Sequence, residues 1–336
     1  MKSSRILGTG KYLPPHIWTN DDLSRLMDTS DEWIVQRTGI KQRHWVEHDS
    51  ATATSDLALE ACQRALLNAN VKKEELDLVI FATLSPDREF PGSACFLQAK
   101  LGIPGVPALD VRQQCSGFLY GLSIADQFIK TGAATKVLLV GAEIHSKGLN
   151  LTTEGRDVAV LFGDGAGAVV VGVAEGGEQG SRILSTHLHA DGRFASELWI
   201  PSPGLANTGP RISAAHLEQG LHYPQMNGKA VFTHAAKRMP EAVLESLTAN
   251  GLKVSDIDLF VFHQANLRIN EMVAKMLEIP EGKVFNTIHK YGNTTAATIP
   301  IGLDDAVLEG KLKPGMLVAS AAFGSGFTWA STEIRW

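Results

Sequence analysis

Three cysteines, Cys62, Cys95 and Cys115, are spread through the 336 residues, and one of them is placed for chemistry. Cys115 follows the short run 108–111 and precedes Ser116, Gly117 and an amphipathic stretch over 118–130. A thiol between a strand end and a helix start faces N-terminal N–H groups, which lower its pKa and favour the nucleophilic thiolate. Cys62 and Cys95 fall inside helical patterns and read as small core residues. His263 closes an apolar run in Phe-His-Gln-Ala-Asn at 262–266, and Asn293 sits in Tyr-Gly-Asn-Thr-Thr-Ala-Ala at 291–297, again ahead of a helical stretch. A cysteine, a histidine and an asparagine on strand or helix ends could share one cleft, with the cysteine as a candidate nucleophile. Each also has an ordinary structural reading when taken alone: a small core thiol, a satisfied buried histidine, a turn asparagine.

What would bring the three together is a repeat. Apolar runs at 76–81, 136–140, 166–173, 259–262 and 316–319 have the length and composition of strands covered on both faces. Amphipathic stretches such as 55–70 and 118–131 lie between them, and the alternation indicates a layered α/β fold. The segment 71–81 reads like 252–262, with Asp77 and Asp258 181 residues apart. Phe-Gly-Asp-Gly at 162–165 is answered by Phe-Gly-Ser-Gly at 323–326, and helices ending at Gly132 and Gly310 are separated by 178 residues. Two copies of one α/β unit follow from this, 1–174 and 184–336, with a turn-rich boundary around 174–184. The 178-residue offset carries Cys115 onto Asn293. Equivalent strand ends of paired units face one another, and open α/β sheets hold ligands at strand carboxyl ends. Residues 191–228, rich in Pro and Gly, interrupt the second unit as a surface excursion whose role the sequence leaves open.

Composition narrows the class. With 44% hydrophobic and 20% charged residues, the chain is an ordinary globular protein, long enough to bury a core without disulfide or metal staples. A net charge of −5 gives no basic excess for nucleic acid or an anionic membrane. No run approaches the length of a membrane span, the first ten residues lack a signal-peptide core, and the odd, unpatterned cysteines suit a reducing cytosol.

Longer strings then resemble the β-ketoacyl-acyl-carrier-protein synthase III family of thiolase-fold condensing enzymes, over essentially the whole chain. They are Ser-Asp-Glu-Trp-Ile-Val at 30–35, Arg-Thr-Gly-Ile at 37–40, Cys-Ser-Gly-Phe at 115–118, Phe-Gly-Asp-Gly-Ala-Gly at 162–167, His-Leu-His-Ala-Asp-Gly at 187–192, His-Gln-Ala-Asn-Leu-Arg at 263–268, Gly-Asn-Thr at 292–294 and Phe-Gly-Ser-Gly-Phe-Thr-Trp at 323–329. The resemblance implies a thiolase-like fold of two pseudo-symmetric halves in α-β-α-β-α layers. It implies a decarboxylative Claisen condensation of an acyl-CoA primer with malonyl-acyl-carrier protein, starting fatty-acid synthesis without a permanently bound cofactor. Catalysis would fall to Cys115, His263 and Asn293, with the backbone N–H groups of Cys115 and Ser325 as oxyanion hole. Ser325 departs from the family's run of three glycines, and a serine fits there only at negative φ. Gln113 and Gln114 are also bulkier than the residues usual before the nucleophile.

Trp33 and Arg156 would enclose the CoA adenine, with Thr29 and Arg37 beside them, while Gly228 and Asn266 would line the pantetheine tunnel. Phe90 would close the acyl pocket of a neighbouring subunit, which implies a homodimer. Gln264, Ala265, Asn266, Leu267, Arg268 and Lys275 would meet the acidic carrier protein. A cytoplasmic location follows, with no nucleic-acid or membrane partner. His187 and His189 look like half a metal site but lack a second ligand cluster, so no metal is expected. Gly163, Gly165 and Gly167 have the wrong spacing for a dinucleotide loop and read as close packing between halves. Two rivals stand beside the condensation: a synthase-like acyltransferase or specialised condensing enzyme using the same cysteine, and a silent thiolase-fold partner subunit.

Overall fold

The computed structural model describes residues 2–175, 177 and 180–336, so Gly176, Glu178 and Gln179, inside the expected boundary, lie outside the described residues. Two sheets carry the fold. The first is ordered Ser4–Tyr12, Gly165–Val173, Lys136–Glu143, Leu78–Ala82, Ala108–Val111. The second runs Arg182–Ala190, Thr328–Arg335, Leu317–Gly324, Leu259–Phe260, and a lone parallel bridge from Phe260 to Val284 stands where a fifth strand would be. Strand directions repeat in the same order, two antiparallel pairings followed by parallel ones. The repeated aspartates explain part of this. The Asp77 carboxylate accepts the Lys136 N–H at 3.0 Å and the Asp258 carboxylate the Leu317 N–H at 2.8 Å, each fixing the start of the neighbouring parallel strand.

Helices fill the layers. Thr54–Ala69 and Ser93–Leu101 cover the outer face of the first sheet, and Gly228–Ala249 covers that of the second with Leu267–Met276 packed against it. Gly117–Lys130 and Thr298–Leu308 lie between the sheets, in a core where Leu122, Ile129, Ile299 and Leu303 meet Ile80, Leu139, Val318 and Ile334. Thr298–Leu308 is buried from Thr298 through Ala306, with the Asp304 carboxylate accepting from the Thr9 hydroxyl and Asp305 paired with Lys11. Close approach between the inner layer and the first sheet explains Gly167, where a Cβ would lie 2.7 Å from the Ile301 nitrogen, while a Cβ on Gly163 would lie 2.2 Å from the Tyr291 carbonyl oxygen.

Ser4–Tyr12, Arg182–Ala190 and Thr328–Arg335 escape the apolar-run criterion. Ser4–Tyr12 is glycine-rich and pairs at the sheet edge, and Thr328–Arg335 carries Ser331, Thr332 and Glu333, all buried. Glu333 is satisfied by the Ser246 hydroxyl and the Asn250 amide, which lets polar residues occupy an interior strand. The run 259–262 is assigned as strand only to Phe260, although its ladder continues, with Val261 and His263 N–H groups donating to Ala319 and Ala321 at 3.0 and 2.9 Å. Cys95 is a correction: it is exposed on its helix, whereas Cys62 is buried.

Candidate active site

Cys115 sits in a single 3-10 turn, Gln114–Ser116, between Ala108–Val111 and the helix that begins at Gly117. Gln114 has φ +42°, a left-handed conformation that costs a non-glycine residue energy and is retained where surrounding structure imposes it. The loop after Leu317–Gly324 closes over the thiol. A Cβ at Gly324 would fall 2.6 Å from the Cys115 Cβ, so only glycine fits. Ser325 is absent from the residues with positive φ, which satisfies the condition for a serine there. Its N–H and that of Cys115 both act at the sulfur in the direction that favours a thiolate.

The thiol itself corrects an expectation. Burial, aided by the Glu143 carboxylate, pushes Cys115 up to about 12, against the pull of the two N–H groups. The residue is only 7% exposed, and desolvation outweighs the helix start. At neutral pH the Cys115 side chain rests as a protonated thiol.

His263 supplies a lone pair. Burial pushes its pKa down to about 3, so the ring is neutral. Its Nδ1 lies 2.7 Å from the Thr298 hydroxyl, whose single proton goes to the Thr295 carbonyl at 3.0 Å. The hydroxyl oxygen therefore accepts from Nδ1–H, and Nε2 carries the lone pair. Nε2 is buried and has no hydrogen-bond partner. Asn293 is fixed by its backbone to the turn after residue 160, donating to the Leu161 carbonyl at 2.8 Å and accepting from Gly163 N–H at 3.1 Å. Its side-chain oxygen accepts the Thr295 N–H at 2.9 Å, which leaves its NH2 as the group it can offer a substrate.

Cys115, His263, Asn293 and Gly324 line one cavity of about 310 Å³. The same cavity is lined by Trp33, Arg37, Gly228, Ala265 and Asn266, which joins the catalytic candidates to part of the expected CoA set. A Cβ on Gly228 would meet only the Met226 methyl, at 3.7 Å, so protein packing does not require glycine there. Asn266 donates from its amide to the Arg37 carbonyl at 3.0 Å and caps the following helix through Arg268 N–H. Arg37 and Arg156 both lie on the Trp33 ring, at 4.4 and 5.2 Å from its centroid. A base stacked between Trp33 and Arg156 therefore needs the guanidinium to withdraw. Thr29 does not line the cavity, and its hydroxyl is buried without a partner.

A second cavity, about 360 Å³, opens on the other side of the thiol, against Gln114, His145, Leu198, Trp199 and Ser325. Its roof belongs to the 191–228 excursion, where Leu198–Trp199 pairs with Gln225–Met226. The Ser325 hydroxyl donates to the Leu198 carbonyl, tying that roof to the oxyanion loop. Glu143 and His145 were not singled out from the sequence. Glu143 is buried and accepts from Thr83, from Leu84 N–H, and from both the N–H and the hydroxyl of Ser85. The polar pair Glu-x-His at the end of a buried strand was the available signal.

Carrier-facing expectations divide. Arg268 and Lys275 are exposed on Leu267–Met276, with Lys229 and Lys237 exposed nearby. Gln264 must be withdrawn from that set: it is 1% exposed, donates to the Phe262 carbonyl and accepts from Thr287 and Ile288 N–H groups. Leu267 packs against Gly39 and Ala265 faces the cavity. Phe90 is 81% exposed. His187 and His189 both pair with Glu245, at 3.2 and 2.7 Å, and no group of three or more His, Cys, Asp or Glu able to hold a metal occurs among the described residues. Nor is any helix among them long and apolar enough to cross a membrane.

Known proteins share this sequence and fold. Family models described as 3-oxoacyl-[acyl-carrier-protein] synthase III match residues 109–192 and, for its C-terminal part, 247–336. The chain is 48% identical over 333 residues to a β-ketoacyl-[acyl-carrier-protein] synthase III of Caldanaerobacter subterraneus, covering 98% of this chain and 97% of the relative. It is 48% identical to the protein of that name from Alkalilimnicola ehrlichii, covering 100% of both. The crystal structure of 3-oxoacyl-[acyl-carrier-protein] synthase III from Aquifex aeolicus superposes with TM-score 0.88 at 42% identity, covering 99% of this chain and 100% of that one.

Proposed function

The chain belongs to the β-ketoacyl-[acyl-carrier-protein] synthase III family, and from that premise we propose how its own residues carry out the family's condensation. The reaction joins an acyl-CoA primer to malonyl-acyl-carrier protein with loss of CO2, the initiating step of fatty-acid biosynthesis. The observation that carries the residue assignment is the convergence of Cys115, His263 Nε2 and the Asn293 amide on one cavity, two of them with every other polar end already engaged.

In the first half, Cys115 sulfur attacks the primer's thioester carbonyl and its proton passes to His263 Nε2. The carbonyl oxygen becomes negative between the N–H groups of Cys115 and Ser325. The bond to the coenzyme sulfur then breaks, leaving an acyl-Cys115 thioester, a CoA thiolate that takes its proton from water, and an imidazolium at His263. In the second half, malonyl carrier protein loses CO2 and the electron pair of that bond becomes an enolate. The His263 imidazolium and the Asn293 NH2 donate to the enolate oxygen, and the negative charge offsets the desolvation that keeps His263 neutral in the empty site. The enolate carbon attacks the acyl thioester, Cys115 departs as thiolate, and His263 returns its proton. Atoms and charge balance with one proton taken from solvent per cycle.

Trp33, Arg37 and Arg156 form the adenine platform, with Thr29 beside it, and Gly228 and Asn266 line the pantetheine path. Arg268 and Lys275 face the acidic carrier protein, and an exposed Phe90 suits contact with a second copy in a homodimer. Halves 1–174 and 184–336 supply the nucleophile and the condensing pair respectively. The enzyme works in the cytoplasm on diffusible substrates and calls for no resident cofactor.

The test is mass spectrometry of carrier protein after incubation with malonyl carrier protein and a panel of acyl-CoAs. Ketoacyl carrier protein with at least one primer is expected, and that primer names the substrate. A stable acyl adduct on Cys115 with no ketoacyl product would move the reading to acyl transfer. Absence of both would favour the silent-subunit rival.

A further inference from the structure

Both condensing residues are held through one strained position. Thr295 is β-branched yet has φ +51°, a combination that is a genuine outlier and persists only where neighbours impose it. Its three polar groups all have work. The N–H donates to Asn293 Oδ1 at 2.9 Å, the carbonyl accepts the Thr298 hydroxyl that in turn receives His263 Nδ1–H, and the side-chain hydroxyl meets His145 Nε2. His145 is itself immobilised. Its N–H donates to Asp164 at 2.7 Å, its ring stacks on Phe162 with centroids 4.4 Å apart, and burial pushes it down to about 3, so it is neutral.

We propose that His145 is a positioning residue for Asn293: by holding the Thr295 hydroxyl it fixes the left-handed turn that aims the Asn293 amide into the cavity. His263 keeps its own contact with the Thr298 hydroxyl, and Asn293 enters only the second half of the reaction, so the effect falls on that half. This inference rests on the condensation reading of the preceding section.

The experiment compares wild type with His145→Leu, His145→Gln, Thr295→Val and the His145→Leu/Thr295→Val double variant. Each is measured for the rate of Cys115 acylation by acyl-CoA and for ketoacyl formation from the preformed acyl-enzyme. Thermal melts confirm folding. His145→Leu should leave acylation within about twofold and slow condensation about tenfold, the size expected for losing one orienting hydrogen bond. Gln, which can still reach the hydroxyl, should recover part of the rate. Thr295→Val should match the Leu variant, and the double variant should be no slower than either, because both remove the same contact. The proposal is overturned by equal losses in both half-reactions, by additive losses in the double variant, or by a changed primer KM with condensation intact. That last result would make His145 a wall of the acyl cavity instead. Should His145→Leu fail to fold, Thr295→Val alone decides between these outcomes. A wild-type enzyme that acylates but makes no ketoacyl product would sink the condensation reading itself, independently of any variant.

Discussion

The turns at Cys115 and Asn293 occupy related places in the two halves, and each lies beside a non-glycine residue in the left-handed region, Gln114 at φ +42° and Thr295 at φ +51°. They are held in different ways. At Cys115 the constraints are backbone: a 3-10 turn and a glycine pressed against the Cβ. At Asn293 they are largely side-chain hydrogen bonds, running from His145 through Thr295 to Asn293 and, by Thr298, to His263. The first arrangement is one that few substitutions can remove. The second builds a pair of oriented groups that single substitutions can misalign. Because His263 also takes the thiol's proton, substitutions that misalign Asn293 alone should slow condensation and spare acylation.

The largest effect that would break this division is at the nucleophile. Cys115→Ala should remove all acyl adduct from the protein, read by intact mass after incubation with acyl-CoA. An adduct of unchanged yield would place the nucleophile at another residue. Next in size is the entrance to the cavity. Trp33→Ala removes the platform on which Arg37 and Arg156 rest, and should raise KM for acyl-CoA about tenfold with little change in kcat, as expected when uniform binding is lost. A fall in kcat with KM unchanged would contradict that role.

The smallest effect concerns the carboxyl that opposes the thiolate. Burial holds Glu143 up at about 7, and its charge raises the Cys115 thiol. Glu143→Gln should speed alkylation of Cys115 by iodoacetamide at pH 8 several-fold, because the repelling charge is gone. The folded-state value lies above that of the unfolded chain, so the stability associated with protonated Glu143 is full at low pH and is lost as pH rises through about 7. The Gln variant should flatten that decline in thermal melts taken between pH 5 and 8. A variant with the wild-type slope would mean that another group titrates there.

Much of this plan was legible in the sequence, because it rests on patterns that repeat. The Asp77 and Asp258 strings mark equivalent strands, and the offset of 178 residues leads from Cys115 to Asn293. Strand 328–335 escapes the apolar-run criterion because its buried polar residues find partners far away in sequence. Ser331 and Glu333 find them on helix 228–249 and its C-cap, and Thr332 at the Ser185 carbonyl of the adjacent strand. Gln264 reads as a surface residue within a carrier-binding string, but its amide is spent on the backbone at 262, 287 and 288. The thiol's raised pKa depends on burial and on Glu143, neither of which a strand-to-helix junction reveals. His145 and Thr295 are 150 residues apart, and nothing local to either announces the other.

The central claim is that acylation of Cys115 and the part Asn293 plays in condensation are separable, and Asn293→Ala tests it most directly. Intact mass after acyl-CoA, followed by addition of malonyl carrier protein, reads both half-reactions on one sample. The expected result is a full acyl adduct on Cys115 that persists, with ketoacyl formation slowed about 10²–10³-fold, the cost typical of removing one oxyanion donor. Loss of the adduct at the first step, or its discharge at the wild-type rate at the second, would contradict the account.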